Sequence, residues 1–222
     1  NALVYGNARV CGDALVCGNA WVCGDAQVYG NALVCGNAWV CGDAQVYGNA
    51  WVYGNARVCG DAQVYGNARV YGDAQVYGNA QVYGDARVYG NALVYGNAWV
   101  YGNALVCGNA WVCGDAQVYG NAWVYGNALV CGDARVYGDA RVYGNAKIKQ
   151  RTDLFWISII GSENGTYTAF KNKDGGILVN RGCFSGTLEE FTDAVNKRHD
   201  GKFNQEYQLV IELTKLRLGQ QV

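Results

Sequence analysis

The 222-residue sequence has no proline, no methionine and a single histidine, His199. It has no apolar run approaching the roughly 18 residues a bilayer-crossing helix needs, and no charged n-region leading into an apolar segment, so no secretory signal is visible. A formal net charge of −1 and a pI near 5.8 give no electrostatic reason to expect nucleic acid or a membrane surface as partner. Arginine and aspartate number six and nine over residues 1–144, which leaves no basic stripe, and that segment holds no threonine for a flat ice-binding row. The chain opens on Asn1, already in phase with the pattern below. With methionine absent, this reads as a processed product or a segment starting inside a longer array, with an export signal upstream left open.

What is present is repetition. Residues 1–144 are 24 consecutive copies of Asn/Asp-Ala-x-Val-Tyr/Cys-Gly, and a further copy begins at Asn145-Ala146-Lys147-Ile148 before decaying. Alanine, valine and glycine never vary, while x draws only on Leu, Arg, Trp and Gln. Residues 31–54 recur letter for letter as residues 103–126, which points to growth by duplication.

A six-residue period with alternating small apolar and variable positions predicts β-structure. Successive side chains in a strand point to opposite faces, so Ala and Val share one face and x and Tyr/Cys the other. A four-residue Ala-x-Val-Tyr/Cys strand would end at Gly-Asn or Gly-Asp, because these residues tolerate the left-handed backbone of a sharp corner. No such strand buries a face alone. Stacked coils would build a continuous thin core. A helix fails on the period, and a glycine at every sixth position would cost it about 1 kcal/mol each time. Collagen fails because glycine is not every third residue and proline is missing.

Written from valine, the unit is Val-Tyr/Cys-Gly-Asn/Asp-Ala-x, which resembles the hexapeptide repeat of left-handed parallel β-helix proteins over about two thirds of the chain. The resemblance implies left-handed coils of three hexads and a triangular section, although left-handed crossovers run against the general rule for parallel strands. Tyr or Cys after valine is a departure, since the family often has a small or acidic residue there. The expected fold is an all-β solenoid of about eight three-sided coils over residues 1–148. A small α+β capping domain of three short strands and two helices follows over residues 149–222.

With three hexads per coil, residues 18 apart stack, and about 4.8 Å per coil gives a prism about 40 Å long. One face should carry a ladder of Tyr29, Tyr47, Tyr65, Tyr83, Tyr101, Tyr119 and Tyr137 beside Gln27, Gln45, Gln63, Gln81 and Gln117. A second should carry Leu3, Trp21, Trp39, Arg57, Gln75, Leu93, Trp111 and Leu129 beside Cys23, Cys41, Cys59, Cys113 and Cys131. The third mixes Leu15, Leu33, Trp51, Leu105 and Trp123 with Arg69, Arg87 and Arg141. The candidate binding surface is aromatic: Trp21, Trp39, Trp51, Trp99, Trp111 and Trp123, with Tyr29, Tyr47, Tyr65, Tyr83, Tyr101 and Tyr119. Such rows can grip a protein or stack sugars, or they can shield the backbone and pack on one another.

In the last third, 154–160 (LFWISII) reads as a buried strand, 166–170 as a second and 177–180 as a third, with a turn at 172–176. Thr187 and Glu190 form a capping box opening a helix to about His199. Asp200-Gly201 stops it, and 204–218 reads as a second helix with Tyr207, Leu209, Ile211, Leu213 and Leu216 as its apolar positions. The segment should seal the last coil around Trp156, Phe170, Phe184 and Phe191. It is similar to segments that follow such arrays in uncharacterised bacterial and phage proteins, which implies no activity.

The resembled family includes acyltransferases, whose sites generally use a histidine base, and trimeric carbonic anhydrases, whose zinc is held by three histidines. The array has no histidine and no loop insertion to wall a pocket, so no catalytic residue, metal or cofactor is expected. His199 reads as a solvated helix cap and Cys183 as a buried structural thiol. An enzyme built around Cys183, His199 and Asp200 is the rival. Nine cysteines alternate freely with tyrosine at one repeat position, which argues for free thiols and favours a reducing cytoplasm. A surface or virion location is the alternative if an upstream signal is missing. Stacked thiols form an open row rather than the closed ligand set of a zinc site, and the scattered aspartates suit corners better than calcium. The expected function is a stiff, non-enzymatic spacer or scaffold. Its partner would be a protein or a second copy, by self-association or head-to-tail assembly. A glycan or host-protein binder is the alternative.

Overall fold

Each invariant valine pairs in register with the valine 18 residues on, and this relation repeats until the hexads end. The computed structural model describes residues 1–219. The hexads form three parallel sheets, one of nine strands and two of eight. Leu3 pairs with Trp21, Gln63 with Gln81 and Arg69 with Arg87, one pairing from each sheet. Three hexads therefore close one coil, and residues 1–144 make about eight coils of a parallel β-solenoid.

The strands are shorter than expected. Regular pairing covers only x-Val, as in Gln63–Val64, rather than four residues. Hydrogen bonding nevertheless continues round the corner: the N–H groups of Gln63, Tyr65 and Asn67 donate to the carbonyls of Ala80, Val82 and Gly84 at 2.9, 3.0 and 2.8 Å. The corner explains the invariant glycine. Gly66 has φ +70°, and a Cβ there would stand 3.0 Å from the Gly84 nitrogen. Neither the backbone angle nor the space admits a side chain.

Inside, Ala and Val meet as expected: every one from Ala20 to Val142 is 0–1% exposed. The outer pair differs from expectation in degree. The x residues range from half-buried to exposed, whereas most Tyr and Cys side chains lie half-buried against the wall, and Cys113 is buried. Asparagine amides chain the corners together, as in Asn49 donating to Asn67 at 3.1 Å and Asn67 to Asp85 at 3.0 Å.

The last third is a four-stranded antiparallel sheet, Leu154–Ile160, Gly165–Lys171, Ile177–Arg181 and Phe184–Thr187, followed by helices α1 (Leu188–Arg198) and α2 (Gly201–Leu218). Three corrections follow. A fourth strand, Phe184–Thr187, joins the three expected. Leu154–Ile160 is an edge strand with only its ends buried, and Ile159 is 76% exposed. In α2 the packed positions are Tyr207, Val210, Ile211, Thr214 and Leu218, while Leu209 and Leu216 face outward. The capping box is present: Glu190 N donates to Thr187 Oγ1 at 3.1 Å and Thr187 N to Glu190 Oε2 at 2.8 Å.

The four aromatics expected in one cap core divide between two. Phe170 is buried within the solenoid core beside Ile148 and Leu154, and Trp156 packs on that same cluster. Phe191 is buried with Tyr167, Tyr207 and Ile211 in a second core between sheet and helices, with Phe184 against it. The sheet is fastened to the last coil by Lys173 N donating to Asn145 O at 3.0 Å and Tyr143 Oη donating to Val179 O at 3.0 Å. It thus closes that end, satisfying backbone groups an open edge would leave unpaired. Asp153 locks the junction, accepting from Lys149 N and Gln150 N and pairing with Lys171 at 3.1 Å. Burial pushes its carboxyl up, but these partners outweigh burial and hold it below the usual range.

Candidate functional site

The hexad period decides which aromatic side chains meet, because each stands directly above the residue 18 earlier. Tyr29, Tyr47, Tyr65, Tyr83, Tyr101, Tyr119 and Tyr137 form one unbroken ladder with ring centroids 4.8–5.2 Å apart and planes within 9° of parallel. The row beside it runs Gln27, Gln45, Gln63, Gln81, Trp99 and Gln117. Trp21, Trp39 and Trp111 lie on the second wall, and Trp51 and Trp123 on the third. The twelve candidate residues are therefore spread over three walls and are not gathered into one site.

Stacking determines what these rings can offer. A ring whose face lies on its neighbour's face presents its edge and hydroxyl to solvent, and a sugar stacks on faces. Every internal ring of the tyrosine ladder has both faces covered. Trp39 likewise has Trp21 on one side, centroids 5.0 Å apart and planes 2° from parallel. On other faces an arginine of the following coil covers the ring: Arg57 over Trp39, Arg69 over Trp51 and Arg141 over Trp123, at 5.0, 4.8 and 4.7 Å from the centroids. These cation–π pairs were legible in principle as Trp and Arg 18 apart at position x. Trp99 and Trp111 are 38% and 45% exposed, and Tyr95 meets Trp111 edge-on.

Several hydroxyls and thiols along the walls are pushed toward their neutral forms. Burial pushes Tyr47, Tyr65 and Tyr83 above the ordinary phenol value, helped at Tyr65 by Tyr47 and Tyr83. Tyr89 and Tyr95 are pushed up to about 12, first by hydrogen bonding to Cys107 and Cys113 and then by burial. Burial, with Cys59 and Cys23 alongside, pushes Cys41 up to about 12. All ten cysteines are free. Burial likewise raises Cys35 and Cys131, and a thiol held neutral in this way is a poor nucleophile and a poor metal ligand. No group of three or more metal-binding side chains occurs among the described residues. The corner column does bring Asp25, Asp43 and Asp61 into register.

In the cap, Cys183 is exposed rather than buried. His199 is the C-cap of α1, as expected, but it is half-buried with its ring 5.1 Å from that of Tyr207. Cys183 and His199 line one cavity of about 160 Å³, which Asp200 does not line. No helix among the described residues is long and apolar enough to cross a membrane.

No curated protein matches the sequence. Among solved structures, a Bacillus cereus protein described provisionally as an acetyltransferase is similar, at 10% identity and a TM-score of 0.44 over 87% of this chain and 92% of that one. A likeness that distant carries no inference about activity. The repeat itself is another matter. The model for the YdcK beta solenoid repeat matches residues 8–24, 26–42, 44–60, 62–78, 80–96, 86–102, 98–114, 116–132 and 134–148. Eight of these matches begin 18 residues apart, one per coil, and together they span more than half the chain. With its repeat, coil length and sheet register all in agreement, the chain belongs to the YdcK beta-solenoid repeat family.

Proposed function

We propose that the chain is a non-enzymatic structural rod whose walls dock protein, either a second copy or another partner. The observation that carries this reading is the coil-to-coil pairing of the outer side chains. Stacked tyrosines and Trp–Arg pairs cover one another's ring faces, and the 24 hexads beneath them run without a loop insertion. Such a wall is stiff and flat, with amphipathic edges and hydroxyls that suit a protein surface. The sheet that closes the last coil favours association through the walls over head-to-tail stacking at that end.

The test is sedimentation velocity with small-angle scattering across a concentration series, on the intact chain and on a Tyr65→Ser/Tyr83→Ser variant. Side-by-side association that weakens in the variant, while the circular dichroism spectrum is retained, supports wall docking. A monomer at every concentration that also fails to retain any partner from its source would overturn it.

Trp99 and Trp111 are exposed like Trp39, Trp51 and Trp123, but no arginine or stacked ring among the described residues covers them. This favours one second reading, a surface- or phage-associated protein recognising a glycan or host protein through these two rings. It requires Trp99→Ala and Trp111→Ala to abolish binding without lowering thermal stability. An acyltransferase-like activity is the third reading. Release of free thiol from an acyl thioester donor with the acyl group appearing on an added amine or alcohol acceptor, both lost in a Cys183→Ala variant, would establish it.

A further inference from the structure

Three arginines far apart in sequence converge where the last coil meets the cap. Arg135 comes from the end of the tyrosine face, Arg151 from the short 3-10 turn Arg151–Asp153, and Arg217 from the last turn of α2. They line one groove of about 450 Å³, walled by Tyr137, Phe155 and Trp156. The Arg217 guanidinium carbon stands 5.4 Å from the Phe155 centroid, which places that charge at the groove. No acidic residue among the described ones lines it. The two ion pairs among the described residues, Lys171–Asp153 and Arg181–Glu163, involve none of the three. Asp153, the acid nearest Arg151 in sequence, is already engaged by Lys171, Lys149 N and Gln150 N.

A chain with net charge −1 has no general excess of cations to scatter here. Three guanidinium groups without an ion-pair partner among the described residues repel one another around one groove, and partial shielding by aromatic walls strengthens that repulsion. Guanidinium presents forked N–H donors that match the oxygens of phosphate and carboxylate groups. Trp156 meets Tyr137 edge-to-face at 5.4 Å, and Arg217 covers Phe155. The walls are thus occupied by their own contacts, and charge rather than ring stacking is what the groove offers.

We infer that this groove is a binding site for a compact oxyanion carrying two or more negative charges. Its chemistry is a phosphoryl group or a polycarboxylate. The groove borrows Arg135 and Tyr137 from the end of the tyrosine wall. The variants that test it change only Arg151 and Arg217, which lie outside the coils, so its failure and the failure of the rod reading are distinguishable.

The experiment is thermal unfolding of the full chain in a low-anion buffer, with pyrophosphate or citrate added and potassium chloride at matched ionic strength as control. Arg151 and Arg217 are exposed, so Arg151→Gln and Arg217→Gln should fold. Pyrophosphate, citrate or both should raise the melting temperature of the wild type well beyond the chloride control, saturably, and which of them acts identifies the ligand chemistry. The double variant should lose that increment. Without added anion, Arg151→Gln alone should melt at or above the wild-type temperature, because it relieves repulsion. An increment equal to that of chloride, or one that persists in the double variant, overturns the site. So does a fall in melting temperature for Arg151→Gln with the anion increment intact, since that marks a purely structural arginine.

Discussion

The guanidinium carbon of Arg57 stands 5.0 Å from the centroid of the Trp39 ring one coil earlier, and it covers the face a ligand would need. Exposed cation–π contacts contribute about 0.5–1 kcal/mol. A double-mutant cycle of Trp39→Ala and Arg57→Gln, followed by denaturant unfolding, should therefore return a coupling of about that size. Zero coupling would mean that the pair is merely adjacent and the ring face is free.

Alkaline pH should destabilise the array. Tyr89, Tyr95 and Cys41 are pushed up to about 12 in the fold, whereas unfolded tyrosine and cysteine ionise near about 10 and about 8.5. The folded state therefore holds protons that the unfolded state releases. The stabilisation is complete below the unfolded values and is lost as pH rises toward about 12. Melting temperature should be flat near neutrality and fall between roughly pH 9 and 12. A flat profile through that window would contradict the coupled Tyr–Cys columns.

Asp25, Asp43 and Asp61 stack at successive corners where other columns chain asparagine amides. Like charges directly opposite one another in a sheet destabilise by about 0.2–1 kcal/mol. Asp43→Asn should stabilise the protein by that order, because the new amide can donate to the Asp61 carboxylate as Asn67 does to Asp85. Chemical denaturation in low salt would show the gain, and salt should diminish it.

Removing one whole coil, residues 61–78, should leave a folded rod about 4.8 Å shorter. Removing residues 61–66 alone should rotate every later wall by one face, breaking the tyrosine ladder. Circular dichroism melts of the two deletions should differ clearly. Equal damage from both would refute three hexads per coil.

Phe170→Ala should cost about 3–5 kcal/mol, because that ring closes the solenoid core and meets Tyr143 edge-on at 5.4 Å. Increased binding of a hydrophobic dye and loss of monomer in sedimentation would register the opened end.

The buried Ala and Val columns were readable because one six-letter unit repeats them until chance is excluded. Coil length and sheet membership came instead from the resemblance to hexapeptide-repeat β-helices, since a six-residue period alone does not say how many hexads close a coil. The Thr187–Glu190 box was readable because it is local. The second helix was misread at Leu209, Leu213 and Leu216, because leucine at helical spacing does not say which side the sheet will cover; Val210 and Thr214 lie on the packed side. The Phe184–Thr187 strand was missed because Ser185 and Gly186 resemble a turn. The arginine groove carries no sequence signal, since Arg135, Arg151 and Arg217 belong to three elements that only the junction brings together.

The glycine corner and the Ala–Val lining also bear on how such a protein can change. Four letters of each hexad are committed to keeping coils in step, while x and its Tyr/Cys neighbour sit on a grid whose spacing they do not set. A new surface can therefore be written one substitution at a time, row by row, while the scaffold beneath keeps the same instructions.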